Sequence, residues 1–231
     1  MDLLYFKELL EKDHIYLTKQ QLDLFDIYAK YLIEYNQKIN LTTISNYQDI
    51  IDKHFYDSII PFINIDPNIH LCDIGSGAGF PSIPLKIVYP NLTITIIEPI
   101  KKRCLFLNNL INLLKLKDVT IINDRAELHS KIGYQKYDIV TARAVAKLNI
   151  LCELCIPLVK VQGLFIALKA KEGHIELQQA SNAIKVLGCK LKQIKEIKTN
   201  NYQRTNIYII KVSNTNKIYP RIYPKIKSNP L

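Results

Sequence analysis

The sequence predicts an α/β protein built on a doubly wound, mostly parallel seven-stranded sheet with an antiparallel last strand, preceded by an N-terminal helical extension. Three observations predict it. From residue 69 onward, short apolar runs alternate with helical periods, the pattern of parallel strands joined by crossover helices. The last two strand candidates, 191–197 and 207–212, are separated by 198–206, too short for a crossover, so they pair antiparallel. Finally, Asp73-Ile74-Gly75-Ser76-Gly77-Ala78-Gly79-Phe80 lies between a strand-like run and a helix-like one. Alternating glycines there let backbone approach a ligand closely, because no Cβ intervenes.

The elements follow in order. Thr18-Lys19-Gln20-Gln21 is a capping-box pattern that opens a helix. Leu22, Phe25, Ala29, Leu32 and Tyr35 then recur at helical spacing and form one apolar face. A second helix is expected over 47–61, with Ile50, Ile51, Phe55, Ile59 and Ile60 inward. Strands are expected at 69–74, 92–98, 119–123, 137–141 and 164–169. Helices are expected at 82–89, 101–114, 126–131, 148–159 and 172–187. The chain after Tyr219 carries Pro220, Pro224 and Pro230 and reads as extended. The expected organisation is a helical extension at 1–66, a cofactor-binding core at 67–213 and a basic extended tail at 214–231.

The 231 residues suffice for one α/β domain with a small addition, and a hydrophobic fraction of 48% fits a globular core. No apolar run approaches the ~20 residues of a membrane span. The N-terminal residues lack a signal-peptide core, so a cytoplasmic protein with no membrane partner is expected, with a monomer as the default. Net charge is +10 and the pI about 9.2, a balance that suits an anionic partner such as nucleic acid. A Lys-, Ile- and Asn-rich composition produces the same balance without one. The distribution favours a partner: from Lys185 to the end, ten further Lys and Arg residues face a single acid, Glu196. Tyr202, Tyr208, Tyr219 and Tyr223 lie among them as candidates for stacking on bases; Tyr208 sits in a strand pattern that favours the core. Cys152 and Cys155 form a C-x-x-C, but no second pair has zinc spacing. Both lie in a helical pattern and read as a buried face, and no metal is expected.

A dinucleotide fingerprint needs G-x-G-x-x-G, and here Phe80 stands where the third glycine belongs. Asp73, directly before the turn, suits a ligand with a cationic amino group better than one carrying phosphates. Both features favour S-adenosylmethionine over NAD. Glu98 ends the second strand, where a carboxylate can accept hydrogen bonds from both ribose hydroxyls. Asp124-Arg125-Ala126-Glu127 follows the third strand. Amides of Ala126 and Glu127 there can read an adenine edge, and Asp124 equally fits a plain helix cap. The glycine turn (Gly75, Gly77, Gly79 and Phe80), Glu98, 124–127 and 141–143 are expected around one crevice beyond the carboxyl ends of the strands.

Several blocks make the resemblance specific. They are Tyr35-Asn36-Gln37-Lys38-Ile39-Asn40-Leu41-Thr42, His54-Phe55-Tyr56-Asp57-Ser58, the glycine turn continued by Pro81-Ser82-Ile83-Pro84, Thr141-Ala142-Arg143-Ala144-Val145-Ala146, and Leu168-Lys169. In this order they resemble the RsmG (GidB) family. That resemblance implies a Rossmann-like class I fold dependent on S-adenosyl-L-methionine, which methylates N7 of a guanine in 16S small-subunit ribosomal RNA. It implies the small-subunit RNA or the 30S particle as partner, and cofactor positions at Gly75, Phe80, Ala126, Glu127 and Arg143.

The chemistry needs no general base, because the N7 lone pair of guanine is free at neutral pH. An in-line displacement asks mainly for positioning. No Asn-Pro-Pro-Tyr follows the fourth strand, as an amino-directed enzyme would show, and no cysteine stands there, as attack on a pyrimidine carbon would need. Arg143 stands there instead. Its fork can take guanine O6, a phosphate or the cofactor carboxylate, or can instead pair within the fold with Asp73 or Glu98. Lys169, at the carboxyl end of the fifth strand, is expected either to hold a phosphate or to be a solvated strand end. His54 and Asp57, one helical turn apart, are expected either to line the substrate side or equally to anchor their helix to the domain, and Asn40 and Thr42 to cap or orient the same rim.

Overall fold

The structure, a computed structural model, describes residues 2–198 and 203–231. The expected connection between the last two strands, with Tyr202, lies partly outside the described residues. Internal packing divides the chain into two units: Met1–Ile69 with Ser76–Asn123, and His70–Gly75 with Asp124–Leu231.

Seven strands form one sheet in the order β3-β2-β1-β4-β5-β7-β6. They are β1 His70–Ile74, β2 Thr93–Ile97, β3 Val119–Ile122, β4 Tyr137–Arg143, β5 Val159–Ala170, β6 Cys189–Lys198 and β7 Gln203–Lys211. β1 with β4, β2 with β3, and β4 with β5 pair parallel, while β7 runs antiparallel to both β5 and β6. This is the predicted architecture. The main difference is length: β4 continues to Arg143, which pairs in register with Leu168 of β5. Arg143 is therefore the last residue of a strand, and its direction is set by the sheet.

The first unit holds α1 Leu3–Lys12, α2 Lys19–Asn36, α3 Tyr47–Ile50, α4 Asp57–Ile59, α5 Ser82–Val88 and α6 Lys101–Leu113. The predicted capping box is present: the Thr18 side chain accepts from the Gln21 backbone while the Gln21 side chain accepts from the Thr18 backbone. The buried stripe of α2 is Phe25, Tyr28, Ala29 and Leu32, with Leu22 and Tyr35 only half-buried. Phe6, Tyr28 and Phe55 gather around or beside Phe25, with ring centroids at 5.1 Å for Phe6–Phe25 and 5.0 Å for both Phe25–Phe55 and Tyr28–Phe55. Such pairs add roughly 0.5–1.5 kcal/mol each beyond their buried area. The helix expected over 47–61 exists, but it is composite. Between α3 and α4 runs a π-helical stretch, Ile51–Tyr56, and a 3-10 turn, Ile60–Phe62, closes it. A π turn is wider than an α turn, so the spacing of His54 and Asp57 along the helix differs from that of a regular α-helix.

The second unit holds α7 Ala126–Gly133, α8 Leu148–Cys155, α9 Gly173–Gln179, α10 Ser181–Val186 and α11 Tyr223–Ser228. The helix expected at 172–187 is broken at Ala180 into α9 and α10. The tail is not wholly extended, as its prolines suggested. Pro224 sits in the first turn of α11, where its missing N–H costs nothing, and Ile226 is fully buried. All five cysteines are free and buried, Cys152 and Cys155 on α8 included, and burial pushes both of those thiols above their usual range. Among the described residues no helix is long and apolar enough to cross a membrane.

Candidate active site

In the first unit, the glycine turn is held by its neighbours rather than by its own backbone alone. Gly77 and Gly79 have φ of +61° and +100°, in the region that favours glycine. A Cβ on Gly79 would meet Ile83 Cγ1 at 2.7 Å and the Tyr28 hydroxyl at 2.8 Å, whereas one on Gly77 would meet nothing within 4 Å. Gly79 thus serves packing, and Gly77 alone of the pair faces open space of the kind a ligand needs. The Tyr28 hydroxyl donates to Ala78 O at 2.5 Å and fixes the middle of the turn.

Glu98 is fully buried. Its Oε2 accepts the Gly77 N–H at 3.1 Å and its Oε1 accepts the Ile100 N–H at 3.0 Å. Arg103 Nη1 stands 3.9 Å from Oε1 and offsets part of the cost of burying the charge. A carboxylate fixed by two amides keeps further lone pairs for hydroxyl donors. The free space at Gly77 and this oriented carboxylate fit the turn to a ribose-bearing cofactor.

Phe80 points inward. Its ring stacks on Tyr28 at 5.6 Å and on the His54 imidazole at 4.3 Å. His54 Nε2 shares a 2.9 Å hydrogen bond with Thr42 Oγ1. Asn36 holds that loop: its Oδ1 accepts the N–H groups of Leu41 and Thr42, and its Nδ2 donates to Thr42 O. Thr42 does orient His54, but the amide that organises the loop is Asn36, while Asn40 is exposed. His54 is 7% exposed and Asp57 2%. The pair packs inside the unit, as the anchoring alternative requires.

In the second unit, Asp73 is fully buried on β1, in register with Thr141 of β4. A Cβ on Gly75 would meet Val145 Cγ2 at 2.8 Å, so the loop after β4 packs directly on the first glycine. That loop follows Arg143, which is half-buried, and is held by contacts of its own. Lys169 Nζ donates to Ala146 O at 2.8 Å and pairs with Glu176 Oε2 at 2.7 Å; the same oxygen accepts the Leu148 N–H at 2.7 Å. Lys169 is only 8% exposed. Its charge is met within the fold, by the Ala146 carbonyl and the Glu176 carboxylate. Glu176 was missed in the sequence because nothing local marks it. Tyr28 was missed too, although its helical spacing with Phe25, Ala29 and Leu32 is a signal that marks it.

Ala126 and Glu127 open α7. Asp124 does not cap the helix: its Oδ1 accepts only the Arg125 N–H, and Arg125 holds the N-cap position with no side-chain bond. Glu127 lies 3.9 Å from Arg125 Nη1. Among the described residues no cluster of three His, Cys, Asp or Glu side chains is arranged to hold a metal ion.

Comparison with known proteins adds an independent line. The family model described as GidB, rRNA small subunit methyltransferase G, matches residues 21–207. Ribosomal RNA small subunit methyltransferase G of Staphylococcus epidermidis (strain ATCC 35984) is 49% identical over 226 residues, covering 96% of this chain and 95% of that protein. The protein of the same name in Staphylococcus aureus (strain Newman) is 47% identical over 222 residues, covering 94% and 93%. Among solved structures, M. jannaschii TYW2 in complex with AdoMet matches with a TM-score of 0.56 at 18% identity, over 74% of this chain and 80% of that one. At that identity the likeness shows the fold alone.

Proposed function

Because the chain belongs to the GidB family of rRNA small subunit methyltransferases, we propose that it transfers the methyl group of S-adenosylmethionine to N7 of one guanine in small-subunit ribosomal RNA. When bound, the cofactor supplies a methyl group on a positively charged sulfur. The protein's own task is then to hold, align and exclude.

Glu98 takes the ribose hydroxyls with a carboxylate already fixed by Gly77 and Ile100. Asp73 attracts the cationic amino group, and the amides of Ala126 and Glu127 read the adenine edge. Gly75, Gly77, Gly79 and the Phe80 backbone form the turn against which the ligand lies. Arg143 donates to guanine O6 and leaves the N7 lone pair free for attack. No side chain has to remove a proton, because N7 carries none at neutral pH. Proximity and alignment can supply about 7–11 kcal/mol of such a barrier. Lys169 and Glu176 act on the reaction through the loop that follows Arg143, and His54 acts through Phe80.

The observation that carries this reading is the residue at the end of β4. An arginine fork stands there, in place of an amino-directing Asn-Pro-Pro-Tyr or a nucleophilic cysteine. The experiment is to incubate the protein and labelled S-adenosylmethionine with small-subunit particles, and separately with naked RNA, from cells lacking the enzyme, and to digest the RNA to nucleosides. Label in 7-methylguanosine is the expected result. Label in methylated adenosine or cytidine refutes the N7 assignment. Arg143→Ala is expected to keep the fold and lose most turnover.

A further inference from the structure

We propose that a cleft between α7 and the segment 217–220 is a docking site for one unstacked nucleotide of the substrate RNA, distinct from the methylated guanine. This rests on the RNA methyltransferase reading above.

The cleft has a volume of about 350 Å³ and is lined by Glu127, Ser130, Lys131, Tyr134, Lys217 and Tyr219. That is the lower end of the ~300–1,000 Å³ typical of small-molecule sites, room for about one nucleotide. Its chemistry is divided by depth. Lys131 and Lys217 are exposed at the rim, and among the described residues neither is in an ion pair. Two free ammonium groups on an open rim suit phosphates. The Glu127 carboxylate is largely buried, its side chain 9% exposed, with the more exposed Arg125 Nη1 3.9 Å from one of its oxygens. An anion at depth repels a phosphate and accepts from the amino edge of a base. The ring of Tyr219 supplies a stacking face. A phosphate outside and a base inside is the arrangement this charge order permits.

The walls are fixed in advance. The Tyr134 hydroxyl donates to Thr215 O and ties α7's end to the tail. Arg221 is held by Glu153 immediately beyond Pro220. The positive rim continues along the tail, where the Arg125 guanidinium lies over the Tyr223 ring at 5.7 Å. A cleft whose walls need no reordering loses less on binding.

The test uses the full chain carrying Lys131→Ala with Lys217→Ala, and separately Tyr219→Ala and Tyr219→Phe. Methyl transfer to small-subunit RNA is measured against RNA concentration and salt, and S-adenosylmethionine affinity by calorimetry. The double lysine variant and Tyr219→Ala are each expected to raise KM for RNA about tenfold while kcat and cofactor affinity hold. Tyr219→Phe keeps the ring and is expected to retain wild-type KM. The double variant is also expected to flatten the log–log salt slope by about 1.4, as two lost contacts to a single strand require. Wild-type KM and salt slope in the double variant, or equal loss in both Tyr219 variants, overturns the site. Wild-type protein that transfers no methyl group to RNA overturns the previous section's reading and this site with it.

Discussion

Arg221 closes on Glu153 through three hydrogen bonds. Its backbone N–H and Nε reach Oε1 at 2.9 and 2.8 Å, and its Nη2 reaches Oε2 at 2.6 Å. Glu153 is fully buried on α8, and this contact pulls Arg221 above its ordinary pKa. The tail is thus tied to α8 by a buried carboxylate that, among the described residues, pairs with no other cation. Arg221→Ala leaves that carboxylate buried and unpaired, so a loss of about 3–5 kcal/mol is expected in urea unfolding. Arg221→Lys is expected to recover little, because a point charge cannot reproduce the fork. Full recovery by lysine would refute the bidentate argument.

Glu176 holds two groups at once, the Lys169 ammonium and the Leu148 amide. Glu176→Ala frees the loop that follows Arg143 and that carries Val145 onto Gly75. Turnover is expected to fall by as much as about 10²-fold, the scale set by misplacing reacting groups by an ångström. A variant carrying both Lys169→Met and Glu176→Met is expected to regain stability but not turnover. Wild-type kcat in the single variant would remove the clamp from the reaction.

The two glycines of the turn are expected to fail differently when replaced. Gly79→Ala forces a Cβ against Ile83 and Tyr28, and a stability loss of roughly 1–3 kcal/mol is expected. Gly77→Ala meets no neighbour and carries only the backbone cost, about 1–2 kcal/mol. It fills the ligand's space, however, so its main effect is expected as lost S-adenosylmethionine binding in calorimetry. Undiminished affinity in Gly77→Ala would count against the turn as the cofactor's seat.

Lys211 is fully buried, donating to Ile156 O at 3.0 Å and Val159 O at 2.8 Å. Burial lowers its pKa to about 8, against the nearby Cys189, which raises it. Between pH 8 and 10.5 the unfolded chain therefore holds a proton there that the folded chain has released. Stability contributed by this residue rises with pH across that window. The difference in melting temperature between wild type and Lys211→Met is expected to shift in favour of wild type from pH 8 to 10. A pH-independent difference would contradict it.

What was legible in the sequence is local or periodic. Thr18 and Gln21 announced their helix because a capping box needs only four residues. The antiparallel hairpin was set by the shortness of its connection. Glu98 was marked by its place after a strand, and the structure brings its carboxylate to the Gly77 N–H. The residues that were misread depend on partners distant in sequence. Lys169 and Lys211 look like surface cations until Glu176 or the β5 backbone is brought to them. The π stretch at Ile51–Tyr56 carries no compositional mark, so the helix expected over 47–61 was read as a single regular one. Pro224 suggested an extended tail, although the same residue fits the first turn of a helix once Ile226 has a core to enter.

The five buried thiols described above turn the molecule into its own clock. A thiol reagent in solution can label a sulfur only after the chain around it has opened. Cys104 belongs to one unit, and Cys72, Cys152, Cys155 and Cys189 to the other. Mass-resolved labelling therefore times the opening of each unit separately in the unmodified protein, with no probe introduced.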